Sequence, residues 1–207
     1  AATMRDPLTI EDVVNARMIV DPLGLLDCCL VSDGGAAMIM VRKDRAKDFP
    51  KQPVYMLGVG SRTDHNLISC MPDLTTTAAK ESAAAAFAMA GVTPKDIDVV
   101  ELYDAFTINT ILFLEDMGFC EKGEGGSFVS NGNIAPGGSL PVNTNGGGLS
   151  CVHPGMYGMF LMIEAVQQLR AECGDRQIKG AKLAACNGNG GFLASQVTAV
   201  FGTEETL

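Results

Sequence analysis

The sequence predicts an α/β protein in which a five-stranded mixed sheet carries helices on both faces. Three observations lead there. Short apolar runs of strand length alternate with longer segments of helical spacing. An alanine-rich stretch ends at a glycine, as helices often do. Two short apolar runs close the chain on either side of a glycine- and asparagine-rich turn, the pattern of a terminal hairpin.

In chain order, Thr9 offers a hydroxyl cap ahead of Glu11 and Asp12, which predicts a helix over about residues 10 to 16. A turn at Asp21-Pro22-Leu23-Gly24 follows. The run Ala36 to Val41 reads as a short buried strand, and the charged stretch Arg42 to Lys51 as a linker. Pro53 to Gly60 is a second strand, followed by a polar loop with His65. Thr75 to Ala90, rich in alanine and bounded by Gly91, is a helix. A turn at Thr93-Pro94 precedes a strand from Ile97 to Leu102 and a helix from Ala105 to Met117.

Gly123 to Gly148 is dense in Gly, Asn, Ser and Pro, and too long to be a mere connector. After His153-Pro154 a helix runs to about Cys173, with Met156, Met159, Phe160, Ile163 and Val166 along one face. Strands at about 181 to 186 and 193 to 201 flank the turn Asn187-Gly188-Asn189-Gly190-Gly191. Residues from about 53 to 202 are expected to form the sheet, with parallel pairing over most of it.

The length of 207 residues and 47% hydrophobic content allow a real core. A formal charge of -9 and a pI near 4.6 argue against nucleic acid, because neutralising phosphates needs clustered Lys and Arg. They leave room for an anionic small molecule held by local donors and helix amino termini. No apolar run approaches the roughly 20 residues that span a bilayer, and the first residues lack a secretory layout, so a cytoplasmic location without membrane attachment is expected. The seven cysteines form no CxxC pair, so neither a metal site nor a disulfide framework is expected. The start at Ala1-Ala2-Thr3, without an initiator methionine, suggests a fragment.

Three loops carry residues suited to chemistry. The first is Tyr103-Asp104-Ala105-Phe106, where a strand passes straight into a helix; its bland reading is a buried aromatic and an Asp cap. The second runs from Asn145-Gly146-Gly147-Gly148 to His153-Pro154. His153 is one of only two histidines. It lies between glycines that let a ligand approach the backbone and a helix terminus that can polarise a carbonyl. The third is Cys186-Asn187-Gly188, read either as a core thiol before a hairpin or as a thiol in a turn whose exposed amides lower its pKa.

Taken together and in this order, the three loops resemble the thiolase family. Tyr103-Asp104-Ala105-Phe106 is similar to its Asn-Glu-Ala-Phe motif. Asn145-Gly146-Gly147 leading to His153-Pro154 is similar to its Asn-Gly-Gly run leading to Gly-His-Pro. Cys186-Asn187-Gly188 resembles its terminal Cys-x-Gly. Ser32-Asp33-Gly34-Gly35-Ala36 resembles the Asn-Asp-Gly-Ala segment that ends the family's first half. The subgroup most similar is that of the sterol-carrier-protein thiolases, where Tyr-Asp-Ala-Phe is familiar.

The resemblance implies half of a thiolase fold, with residues 1–52 as a remnant of the first half plus linker and 53–207 as the carboxy-terminal domain. It implies an acyl-CoA acyltransferase, cleaving 3-ketoacyl-CoA by thiolysis or running the reverse Claisen condensation. His153 would bind the thioester oxygen and help activate a nucleophile, Cys186 would be the acid/base, and Tyr103 would stand at the oxyanion hole. Gly147, Gly148, Asn187 and Gly188 would contact coenzyme A, which enters as a thioester substrate, with no separate cofactor. The family implies a homodimer or tetramer and, in this subgroup, a small zinc-ribbon partner.

Departures from the pattern bear on these roles. The family's nucleophilic cysteine belongs to the half that this chain does not contain, so the chain alone is expected to be inactive. Val152 replaces the Gly before His, and Met156 and Tyr157 replace small residues after it. Ala105 stands where the sterol-carrier enzymes have their second cysteine, which leaves Cys186 for that role. Tyr103 and Tyr157 keep open a thiolase-fold retro-aldolase acting on steroid side-chain acyl-CoA, and a non-catalytic acyl-CoA-binding module is the third reading.

Overall fold

The computed structural model describes all 207 residues. Its centre is a mixed sheet of four strands in the order β3-β6-β5-β4. Helix α1 (Ile10–Val14) opens the chain, capped by the Thr9 hydroxyl and the Asp12 carboxylate. A two-strand ribbon, β1 (Met18–Val20) and β2 (Leu23–Gly24), follows it. Next come β3 (Tyr55–Thr63), α2 (Ala79–Ala90), β4 (Val99–Leu102) and α3 (Thr107–Asp116). Two single-turn helices, α4 (Gly125–Phe128) and α5 (Gly147–Ser150), lie within and at the end of the glycine-rich segment. Helix α6 (Gly158–Leu169), β5 (Leu183–Gly190) and β6 (Ser195–Gly202) complete the domain.

Successive side chains of a strand point to opposite faces, and the helices divide accordingly. On one face the Ser82 hydroxyl of α2 meets Thr198 of β6 at 2.9 Å, and Thr198 donates to Asn187 of β5. On the other, Glu101 of β4 reaches the Thr144 hydroxyl, which bonds Glu164 of α6. Helix α3 joins the α2 layer through the buried Asp116 carboxylate, which accepts from the Thr77 amide and hydroxyl at 2.7 and 2.8 Å. The core between layers includes Phe87, Leu102, Phe113, Leu114, Leu161 and Phe201. Truncating a buried leucine such as Leu114 to Ala typically costs about 2–5 kcal/mol. Helix α2 sits unusually close to β3, because a Cβ at Gly58 or Gly60 would overlap the carbonyl oxygen of Ala86 or Ser82.

The α/β class and the helices on both faces match the sequence reading; three details differ. The fifth strand is reduced to one parallel bridge, Val100–Val142, in which the Val100 amide donates to Pro141 and its carbonyl accepts from Asn143. Pro141 supplies no amide of its own to extend that ladder. Apart from that bridge, parallel pairing is confined to β4–β5, because the terminal hairpin inserts β6 between β5 and β3 and both of its ladders are antiparallel. Residues 36–41 form no strand, and Ile39 and Met40 are exposed. An apolar run becomes a strand only where a neighbour pairs with it, and nothing in this chain lies beside these residues as a ladder.

Within the first 50 residues only Gly24 is buried. This segment is nonetheless tied to the loops of the sheet's carboxyl edge. Cys29 donates its amide to Ala105, Leu30 to Gly148, and the Ser32 hydroxyl accepts the amide of His153 at 2.8 Å.

Candidate active site

Strand β4 ends at Leu102, where the Asn143 side chain accepts the Leu102 amide at 2.7 Å and fixes the chain as it turns into Tyr103. The Tyr103 hydroxyl donates to the Gly155 carbonyl at 3.2 Å and accepts the Tyr157 amide at 3.4 Å. It therefore pins the turn that leads from His153 into α6. The imidazole of His153 packs edge-on against Tyr103, with ring centroids 5.2 Å apart, and stacks on Tyr157 at 5.9 Å. Tyr157 is fully buried and anchored by its hydroxyl, which donates to Asn145 Oδ1 at 3.2 Å.

The aromatic walls shape the chemistry of His153. Its Nε2 is buried and has no protein partner. Burial pulls its pKa below the usual histidine value, so the ring is neutral at pH 7. A neutral imidazole with one free nitrogen, held beside the start of a 12-residue helix, is equipped to donate to a carbonyl oxygen that gains negative charge.

Asp104 supports the neighbouring glycine turn. Its carboxylate accepts the amides of Gly148 at 2.6 Å and Leu149 at 3.3 Å, and burial pushes its pKa up to about 6 despite those bonds. The two glycines are required by this packing. Gly147 has φ of +64°, and a Cβ on it would overlap Asp104 Oδ2; a Cβ on Gly148 would come within 2.8 Å of His153 Cδ2. Both are buried, so their closest approach is to Asp104 and His153, where the sequence suggested coenzyme A.

The reading of Cys186 as a thiol in a turn is corrected. Cys186 is an interior residue of β5, paired with Glu101 on β4 and Ala199 on β6. Burial, and after it the Glu101 carboxyl, push its thiol well above the ordinary cysteine value, so it carries its proton. Asn187 is likewise inside the strand. Its side chain bonds Gln196 and Thr198, each at 2.9 Å. Gly188 faces α6, where a Cβ would lie in ordinary contact with Gly158 Cα at 3.8 Å.

Tyr103 and His153 thus meet at the carboxyl edge of β4 and β5, and the backbone joins them to the third loop, since the Tyr103 amide donates to the Asn187 carbonyl at 3.0 Å. Sequence reasoning missed the group beneath this edge, the buried Glu101, Thr144, Glu164 and Gln168 with the half-buried Arg176. A signal was present. Glu101 is a carboxylate in the apolar strand VVEL, and Glu164 falls between Leu161 and Ala165 on the buried stripe of α6.

Comparison with known proteins identifies the family. Acetyl-CoA acetyltransferase of Methanothermobacter thermautotrophicus is 41% identical over 196 residues, 94% of this chain and 51% of the relative. The steroid side-chain-cleaving aldolase of Thermomonospora curvata is 40% identical over 169 residues, 79% of this chain and 43% of the relative. Among solved structures, the Ltp2-ChsH2(DUF35) aldolase superposes with a TM-score of 0.89 at 32% identity, covering 97% of this chain and 53% of that one. The chain spans about half the length of the curated relatives it matches. The family model described as thiolase C-terminal domain-like matches residues 60–203, which include β4, the histidine loop and the terminal hairpin. By that match and the arrangement of its loops, this chain belongs to the thiolase C-terminal domain-like family.

Proposed function

We propose that this chain provides the acid/base part of a thiolase-fold acyltransferase, which cleaves 3-ketoacyl-CoA by thiolysis or runs the reverse Claisen condensation. The observation that carries this reading is the buried, unpartnered Nε2 of His153 in its box of Tyr103 and Tyr157. That nitrogen donates to the thioester oxygen and stabilises the charge that develops there. Cys186, kept protonated by burial, returns a proton to the α-carbon and takes it back in the other direction. The nucleophile that accepts the acyl group comes from the other half of the enzyme, so the chain alone does not turn over.

The two tyrosines favour a second reading, cleavage of a 3-hydroxyacyl-CoA by retro-aldol chemistry. Both rings border His153, and the relatives include aldolases as well as an acetyltransferase. In the present arrangement both hydroxyls are engaged, Tyr103 with backbone and Tyr157 with Asn145, which favours acyl transfer. The apolar side chains exposed along the first 41 residues, among them Ile10, Ile19, Val31 and Ile39, support self-association into a dimer or tetramer, or a small partner protein. No helix is long and apolar enough to cross a membrane, and we place the enzyme in the cytoplasm.

The test is product analysis with the intact protein. A 3-ketoacyl-CoA plus free coenzyme A should yield two acyl-CoA products. Release of a ketone or aldehyde from a 3-hydroxyacyl-CoA would establish the aldolase instead. Tight acyl-CoA binding with neither reaction would make the protein a binding module.

A further inference from the structure

The acid/base scheme leaves one buried ionisable cluster unused, between β4 and α6. Glu101 and Glu164 are 0% and 2% exposed, and both place Oε1 on the Thr144 hydroxyl, at 2.9 and 2.7 Å. The same oxygen accepts from Gln168 Nε2 at 2.9 Å. A threonine hydroxyl has a single proton to give. It can serve only one of the two carboxyl groups, and the other must bring its own proton or set two bare oxygens against each other at hydrogen-bond distance.

Arg176 decides which group is ionised. Its Nε donates to Glu164 Oε1 at 2.8 Å and its Nη2 to Glu164 Oε2 at 3.0 Å, a two-point pairing that holds Glu164 as the carboxylate. The proton therefore belongs to Glu101, which gives it to Thr144 while Thr144 gives its own to Glu164. Desolvation and the Glu164 charge act in the same direction, raising Glu101 well above the ordinary carboxylate range.

Glu101 stands opposite Cys186 on the parallel β4–β5 ladder, so the two side chains share the face toward α6. Glu101 Oε2 is buried without a partner. The other titratable groups around it are Glu164 of α6, Arg176 and Cys173 beyond its end, Asp104 past β4, and Tyr157 at the start of α6. Within this set it is Glu101 itself, and none of the groups around it, whose charge bears on the Cys186 thiol. An ionised Glu101 would oppose a thiolate beside it.

We propose that Glu101 is a positioning residue that holds its proton in the resting enzyme and so keeps negative charge away from Cys186, letting the thiol pass through its thiolate form during α-proton transfer. The inference rests on the acid/base reading of Cys186. The shared proton of the carboxyl pair, however, is a property of the fold and can be observed without turnover.

Two measurements on the intact protein test it. The first is infrared spectroscopy at pH 7 with labelled glutamate. A carboxylic-acid carbonyl band that disappears in Glu101→Gln supports the proton placement, and absence of that band overturns the inference whatever Cys186 does. The second is α-proton exchange of an acyl-CoA against pH. Wild-type exchange should fall at alkaline pH as Glu101 ionises, and in Glu101→Gln that limb should move to higher pH. Glu101→Ala, which also removes the ionising carboxyl while Thr144 keeps Glu164 and Gln168, should move the limb in the same direction. An unmoved limb in Glu101→Gln overturns the coupling to Cys186. A band assigned to Glu101 together with normal exchange in Cys186→Ser would overturn the acid/base reading of the cysteine and this service to it, while leaving the proton where we place it.

Discussion

Replacing Asp104 by Asn should stabilise the protein at neutral pH and leave it no better in acid. The carboxylate is 2% exposed, and its pKa rises from 3.8 to about 6 on folding. A group held more tightly protonated in the folded state contributes stability below about pH 3.8, and that stability is lost as the pH rises to about 6. At about 1.4 kcal/mol per unit the loss amounts to about 3 kcal/mol. Asn carries no charge and keeps an oxygen for the Gly148 amide at 2.6 Å, but gives up the acceptor facing Leu149 at 3.3 Å. That bond offsets about 1 kcal/mol. The net expectation is a gain of about 2 kcal/mol at pH 7 and a loss of about 1 kcal/mol near pH 4. Urea unfolding of both proteins between pH 4 and 8 reads the difference. A variant destabilised equally across that range would show that burial does not disfavour the Asp104 charge, and the reasoning would fail.

Two further substitutions probe the parts around the site. Gly148→Ala would set a methyl 2.8 Å from His153 Cδ2 and 3.1 Å from Asp104 Oδ1; the displaced imidazole should lower kcat of the intact enzyme by about 10²-fold, read by steady-state kinetics on a variant shown to be folded. Arg176→Met removes the partner of a buried carboxylate, and a loss of about 3–5 kcal/mol is expected in denaturant titrations, far beyond a surface ion pair.

Much of the fold was legible because the helices declare themselves by period and by their ends. Gly91 adopts the left-handed φ of +70° that closes α2, and the Thr9–Asp12 box starts α1 where the sequence placed it. The segment at 36–41 misled because apolarity specifies burial but not a pairing partner. The stretch after Cys186 misled for the opposite reason. Asn187 and Asn189 look like turn residues, yet each spends its side chain on Gln196 across the hairpin, and the ladder runs on to Gly190. Of the site, His153 and Tyr103 could be named from their motifs. The meeting of Glu101 and Glu164 could not, because 63 positions separate the two in sequence and only the packing of α6 on β4 brings both to one hydroxyl.

The central claim is that His153 and Cys186 divide the work on one acyl group. It is tested most directly by single-turnover acylation of the intact enzyme with a labelled acyl-CoA, alongside α-proton exchange, in His153→Ala and Cys186→Ser. The account expects His153→Ala to lose both steps, because the thioester oxygen loses its donor, and Cys186→Ser to acylate while exchange falls by about 10²-fold or more. Exchange at the wild-type rate in Cys186→Ser would contradict it.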